Sequence, residues 1–331
     1  MILLLTNRTD IHPNPVIPKI KSLGGEVFRL NTDDLLRSNK ISSMPDKGIW
    51  MIENTKTGLK VNSKDVRSVW ERRPSRPSTP RRGSLDERDQ HDDLIEQEAA
   101  EFVLWFRYSL FSATWLGHPI YDRWAGSKIH QLQVAKELGS LVPRTFIGNS
   151  YSEFKDWKRE ERSLVIKPLD ADCLEIGEEE YCFFSRKIDP QDARNIDNEV
   201  FVNTINYIQE YVEKLRELRV TVVGQDVFTC VIDSQSMREN QGREDWRQGY
   251  DHGIKHYAIE TPPWIKNFCV KYLKHLNLNF GCFDFIETEA HEYVFLECNP
   301  NGQWMWIEEE TGLKISDSIA KFLVDADHSR G

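Results

Sequence analysis

Several features that would assign a chain to a particular class are missing or scarce here. Six cysteines stand at positions 173, 182, 230, 269, 282 and 298, with no C-x-x-C pair among them. The spacing predicts neither a zinc knuckle nor a disulfide framework, and a reducing cytoplasm is the expected setting. Long apolar runs are absent as well. The N-terminal run Ile2 to Leu5 falls far short of the roughly 20 residues that cross a bilayer, and no cleavable signal follows it, so neither membrane spanning nor secretion is expected. Positive charge is in deficit: 43 Lys plus Arg face 53 Asp plus Glu, a formal net charge of -10. That balance argues against nucleic acid as a partner held by a global positive field.

Apolar and aromatic residues are plentiful, at 39% hydrophobic with 16 Phe, 10 Tyr and 10 Trp in 331 residues. A globular chain with a substantial core follows, about two domains long if a domain runs to roughly 150 residues. No internal repeat or low-complexity tail appears. One basic stretch, Arg72 to Arg82, interrupts the acidic background; it reads either as an attractor for an acidic partner or as a solvated linker.

The pattern begins strand, helix, strand over Ile2 to Thr6, Ile17 to Leu23 and Glu26 to Asn31, with Gly24-Gly25 as the helix stop. A hairpin over Ile49 to Asn54 and Leu59 to Asn62 and a strand over Val66 to Glu71 come next. Leu94, Ala99, Phe102, Val103, Phe106 and Leu110 keep helical spacing and predict a long helix from Asp86 to about Thr114. Its apolar stripe suits either the core or an interface. A helix over Ala125 to Leu138 and a strand over Arg144 to Ile147 lead out of an N-terminal domain. Further strands are expected at Leu164 to Lys167, Tyr181 to Ser185, Thr204 to Val212, Leu218 to Val223, Val227 to Asp233, Cys282 to Glu287 and Tyr293 to Cys298. Helices are expected from the N-cap Thr261 to His275 and from Ile315 to Val324. This order is α/β of the α+β kind, with antiparallel hairpins and no regular βαβ repeat.

Chemistry concentrates in the last two strands. Alternation along a strand puts Glu297 and Asn299 on one face, and Asp284 can meet them from the neighbouring strand. Three oxygen donors suit magnesium with a nucleotide; solvated acids on two half-exposed strands are the plainer alternative. Cations for phosphates stand upstream at Lys128, Lys167, Arg219 and Arg247. Segment Gln209-Glu210-Tyr211-Val212 has the look of an edge for a planar base, with Glu217 available for ribose hydroxyls. His252 and His256 are spaced four apart, but no third ligand is evident, so they read as ordinary polar positions.

The ordered series Ile166-Lys167-Pro168, Gln209 to Val212, Glu217 to Gly224, Asp284 and Glu297 to Gly302 resembles the ATP-grasp carboxylate–amine ligases from Lys128 to the C-terminus. Within them, Val69-Trp70-Glu71-Arg72-Arg73-Pro74, Asn299 to Trp304 and Thr311-Gly312-Leu313 resemble the microviridin-type graspetide synthetases, which crosslink side chains of ribosomal peptides. The resemblance implies an N-terminal α/β pre-ATP-grasp domain over residues 1–120, a central subdomain over 121–205 and a C-terminal ATP-binding subdomain over 206–331. It implies ATP and Mg2+ as cofactors, a precursor peptide with an acidic core as partner, and a homodimer. Residue by residue, it implies Lys128 and Lys167 on the phosphates, Glu210-Tyr211-Val212 on adenine, with Glu210 and Val212 acting through backbone groups, and Glu217 on ribose. Arg247, with Arg219 and Lys167, would carry the reaction, and Asp284, Glu297 and Asn299 would hold the metal. Arg72 and Arg73 would meet the peptide, and Asp192 and Asn195 its leader.

One departure stands out, since no glycine-rich loop follows Lys167 and a short hairpin would have to replace it. The implied reaction forms an acyl phosphate on an Asp or Glu side chain, which a Ser or Thr hydroxyl or a Lys amine then attacks. Two rivals keep the same nucleotide residues: a ligase that adds an amino acid to a peptide or protein C-terminus, and a nucleotide-binding protein without turnover.

Overall fold

The computed structural model describes residues 1–79, 90–170, 173–176, 179–238 and 242–329. The first sheet is parallel, in the order Val27–Asn31, Ile2–Thr6, Ser68–Glu71, Thr114–Leu116. Its central strand Ile2–Thr6 is buried along its whole length, which is why the sequence there is apolar without alternation. Helix Pro13–Ser22 begins earlier than the apolar spacing indicates. Pro13 lies in its first turn, where a missing N–H leaves nothing unpaired. The expected hairpin gains a third strand, Asn39–Met44, whose polar NKISSM sequence gives little apolar signal.

The long helix is described over Gln90–Ser109, and part of its expected N-terminal turn lies outside the described residues. Ala99, Val103 and Phe106 are buried as the spacing requires, but Leu94 is 55% exposed. Thr114 falls in the short parallel edge strand and not in the helix. The predicted helix from Ala125 is two helices, Pro119–Ala125 and Lys128–Glu137, separated by Gly126-Ser127. Thr261 is not an N-cap either. Pro262 occupies that position before helix Pro263–His275, and the Thr261 hydroxyl faces that of Thr229 at 2.9 Å.

A central antiparallel sheet runs Arg186–Ile188, Leu164–Lys167, Asn206–Glu210, Thr145–Gly148. The subdomain boundary at residue 205 is therefore corrected: Asn206–Glu210 hydrogen-bonds to strands of the middle segment, so the division follows Glu210. The hairpin Cys173–Ile176 with Glu179–Cys182 occupies the stretch where a glycine-rich loop is lacking.

The C-terminal sheet, in the order His256–Ile259, Asp226–Ile232, Arg216–Val223, Phe280–Glu287, Tyr293–Asn299, is antiparallel throughout. Gly224 takes the tight turn between the second and third of these with φ +59. Helix Ile315–His328 runs back onto the N-terminal sheet, where Ile319 and Leu323 share one core with Ile2, Ile20 and Trp70. The buried Trp304 and the unexpected helix Met305–Thr311 close that junction. Among the described residues no helix is long and apolar enough to cross a membrane.

Candidate active site

The cleft lies between the central and C-terminal sheets, and its polar groups are carried by their strands, by the first residue of helix Lys128–Glu137 and by the turn Trp246–His252. Register sets Asp284 opposite both Arg219 and Glu297. Arg219 is buried, and its Nη1 donates to Asp284 Oδ2 at 2.7 Å. Burial alone would lower the Arg219 pKa; Asp284 more than offsets this and raises it. Burial pushes the Asp284 carboxyl up to about 6 against the pull of Arg219. Glu297 moves the other way: desolvation raises it, yet Arg247 and Lys128 bring it below the usual carboxylate range.

Asn299 completes the group, donating from Nδ2 to Glu297 Oε1 at 3.1 Å and to Asp284 Oδ2 at 3.3 Å. Among the described residues no set of three or more His, Cys, Asp or Glu side chains is placed to hold a metal. The donor set here is two carboxylates joined by one amide, beside Arg219, Arg247, Lys128 and Lys167. Hard oxygen donors of this kind fit magnesium, which takes one or two carboxylates and keeps its remaining positions for water and phosphate.

Lys167 ends strand Leu164–Lys167 and points into the cleft; desolvation lowers its pKa. Lys128, the first residue of its helix, donates to the Pro168 carbonyl at 2.9 Å. Arg247 sits on the 3-10 turn Trp246–His252, 3.6 Å from both Asp245 Oδ2 and Glu297 Oε1. Partial desolvation works against its charge, but Asp245 and Glu297 raise its pKa overall.

At the far end, the Glu210 N–H bonds the Arg144 carbonyl and the Tyr211 N–H bonds that of Ser163. No hydrogen bond from the Val212 N–H is made among the described residues. The Glu210 carboxylate is turned to Arg144 at 2.8 Å and Arg159 at 3.5 Å. Glu217 accepts from Lys214 at 2.9 Å and from Ser234 at 2.6 Å. Lys214 and Ser234 escaped the sequence reading: the first is only three residues from Glu217, and the second reaches it through the pairing of the two neighbouring strands.

A second cavity of about 690 Å3 adjoins the cleft, and Lys128, Trp246, Arg247 and Glu297 form part of both walls. Phe183, Phe184 and Trp306 give it an aromatic side, which no spacing in the sequence announces. The paired arginines separate here. Arg73, with φ +47 and its carbonyl accepting from Asn7 Nδ2 at 2.7 Å, faces this cavity. Arg72 is 1% exposed, so the expectation of a peptide contact in a solvated loop is corrected; its guanidinium is engaged by Asn301. Of the rest of that loop, residues 80–82 lie outside the described residues. Asp192 and Asn195 are exposed on helix Pro190–Arg194 and at its C-cap, lining neither space. His256 pairs with Glu310 and is not directed at His252.

Comparison with known proteins agrees with this geometry. Residues 1–120 match the MvdD pre-ATP grasp domain. No curated protein sequence matches the chain. Among solved structures, a RiPP-associated ATP-grasp ligase of Chryseobacterium gregarium, bound to ADP and to a leader and core peptide, is similar. The TM-score is 0.85 and the identity 28%, covering 98% of this chain and 96% of that one. Macrocyclase MdnC of Microcystis aeruginosa MRC, bound with precursor peptide MdnA, gives a TM-score of 0.81 at 29% identity, over 98% of this chain and 100% of its own. Macrocyclase MdnB of the same organism gives 0.73 at 27%, over 98% of each chain. With the cleft, the acid pair and the N-terminal domain all in place, the chain is an ATP-grasp ligase, similar over nearly its whole length to RiPP-associated ligases and macrocyclases.

Proposed function

We propose that the enzyme phosphorylates Asp or Glu side chains of a ribosomal precursor peptide and closes intramolecular ω-ester or ω-amide links to Ser or Thr hydroxyls or to Lys. The observation that carries this reading is the shared wall: Lys128, Arg247 and Glu297 border both the nucleotide cleft and the 690 Å3 cavity. A phosphate end and a peptide carboxylate brought there would meet at one place. The Chryseobacterium ligase with its leader and core peptide, and MdnC with its precursor, support a peptide as the occupant.

Lys167 and Lys128 hold phosphate charge, and Arg247 and Arg219 stabilise the charge that develops as the carboxylate attacks the γ-phosphoryl group. That attack releases ADP and leaves an acyl phosphate; the hydroxyl or amine then displaces phosphate. Positioning and electrostatics suffice, so no side-chain nucleophile of the enzyme is needed. Asp284, Glu297 and Asn299 would hold magnesium, which supplies further neutralisation of phosphate charge. Glu217 serves ribose, and the Glu210 to Val212 backbone serves adenine.

The described cysteines 230, 269, 282 and 298 are free buried thiols, which supports a reducing cytoplasm. Leu94, Leu104 and Tyr108, exposed on one face of the long helix, support a homodimer. Incubation with a precursor peptide, ATP and magnesium, followed by intact mass and fragmentation, tests the reaction. Loss of one water per bond, with fragmentation suppressed inside the ring, is the expected result. A gain of one amino-acid residue would instead make it an intermolecular ligase.

A further inference from the structure

The segment Asn299 to Gln303 carries the last member of the acid group, and it is gripped from two sides. From the C-terminal sheet, Arg219 holds Asp284 with one nitrogen, and its Nη2 lies 3.4 Å from the Gln303 carbonyl. From the N-terminal domain, Arg72 Nη1 donates to both the carbonyl and the side-chain oxygen of Asn301, each at 3.0 Å. Asn301 Nδ2 returns a bond to the Glu71 carbonyl at 3.3 Å. The segment has no slack between them: a Cβ on Gly302 would stand 2.5 Å from Cys282 Cβ and 3.1 Å from Arg219 Nη2.

Arg72 is itself fixed. Its backbone N–H bonds the Leu5 carbonyl at 2.8 Å, and its Nη2 lies 3.4 Å from His12 Nε2. His12 Nδ1 in turn faces Asp10 at 3.0 Å. A cation buried this deeply cannot meet a peptide, and both of its Nη1 bonds run to Asn301, on one loop of the other domain.

We infer that Arg72 is a positioning residue, which holds Asn301 so that Asn299 stays beside Asp284 and Glu297 and thereby ties the N-terminal domain to the phosphate end of the cleft. The inference rests on the proposed reading of those three residues as the magnesium-holding set.

ADP titrated calorimetrically into the full chain, with and without magnesium chloride, tests it. Asp284→Asn addresses the underlying reading alone: it should abolish the tightening of ADP by magnesium, and retained tightening would overturn that reading. Arg72→Met and Asn301→Ala should each shrink the tightening by about tenfold, as outer partners of metal ligands do, while magnesium-free ADP affinity stays within about twofold. The double variant should lose no more than either single one, because both cut the same link. Arg72→Lys, with one ammonium for two oxygens, should recover part of the loss.

If Asp284→Asn loses the tightening and Arg72→Met keeps it, Arg72 is merely structural and the inference falls. It also falls if Arg72→Met chiefly raises KM for the precursor with the tightening intact. Should Arg72→Met fail to fold, Asn301→Ala alone decides, since its surroundings keep every charge.

Discussion

The nucleotide cleft and the cavity beside it share a wall and are built on opposite principles. The cleft is narrow, with room for about 100 Å3, and Glu210, Glu217 and Asp284 in it are each paired with a cation at 2.7 to 2.9 Å. The cavity holds about 690 Å3 and sets the exposed Phe183 and Phe184 rings beside Arg73, Arg219 and Arg247. On the proposed reading, chemistry common to every substrate falls where acids are paired with cations, and recognition of a variable peptide where aromatic side chains leave room.

That contrast breaks first at the acid pair. Asp284→Asn is expected to lower turnover by about a thousandfold or more, the scale of removing a group that organises developing charge. ADP release in the presence of precursor measures it, and near-normal turnover would place the chemistry elsewhere. Stability provides the next test. Arg219→Met leaves Asp284 without its main partner and should destabilise the fold by about 3 kcal/mol; urea midpoints at constant slope would show it.

A third prediction concerns a carboxylate outside both spaces. Burial raises Glu71 from 4.5 to about 7, although Arg107 Nε reaches it at 2.8 Å. A carboxyl raised in the fold takes up a proton on folding, so its effect is neutral below the unfolded pKa and becomes destabilising as pH rises through the folded one. Stability should therefore fall between about pH 4.5 and 7, and Glu71→Gln should remove that slope and stabilise the protein above pH 7 by about 1–3 kcal/mol. Thermal midpoints across that range check it, and an unchanged slope would reject the assignment.

The smallest effect belongs to the cavity. Arg73→Ala is expected to raise KM for the precursor about tenfold with kcat within about twofold, as loss of uniform binding does. A fall in kcat instead would give Arg73 a part in the chemistry and blur the distinction between the two spaces.

Strand and helix types were legible in the sequence wherever the pattern had a strong period or strong punctuation. Ile2–Thr6, the Gly224-Gln225 turn and Leu164–Lys167 came out near their observed limits. What went unread was of two kinds. Asn39–Met44 and helix Met305–Thr311 form because neighbours complete them, the first by pairing with a strand and the second by packing Ile307 into a core it does not itself display. The break at Gly126-Ser127 hides inside a continuous helical spacing, yet it makes Lys128 a helix start beside the phosphate end of the cleft.

The same division runs through the site. The sequence by itself determined which groups were present and their order: the acids at 284 and 297, the amide at 299, the lysines at 128 and 167 and the run Asn299 to Gly302. Alternation along two strands also sufficed to set three donors on one face. Only the tertiary structure decided that Arg219 stands opposite Asp284, that Glu217 answers to Lys214 and Ser234, and that Arg72 and Arg73 face opposite ways. Sequence spacing fixes the face of a strand, because the backbone period is local. Which element lies across from that face, and whether a charge ends in water or in protein, depends largely on contacts between residues 17 to 230 positions apart, for which no local period exists.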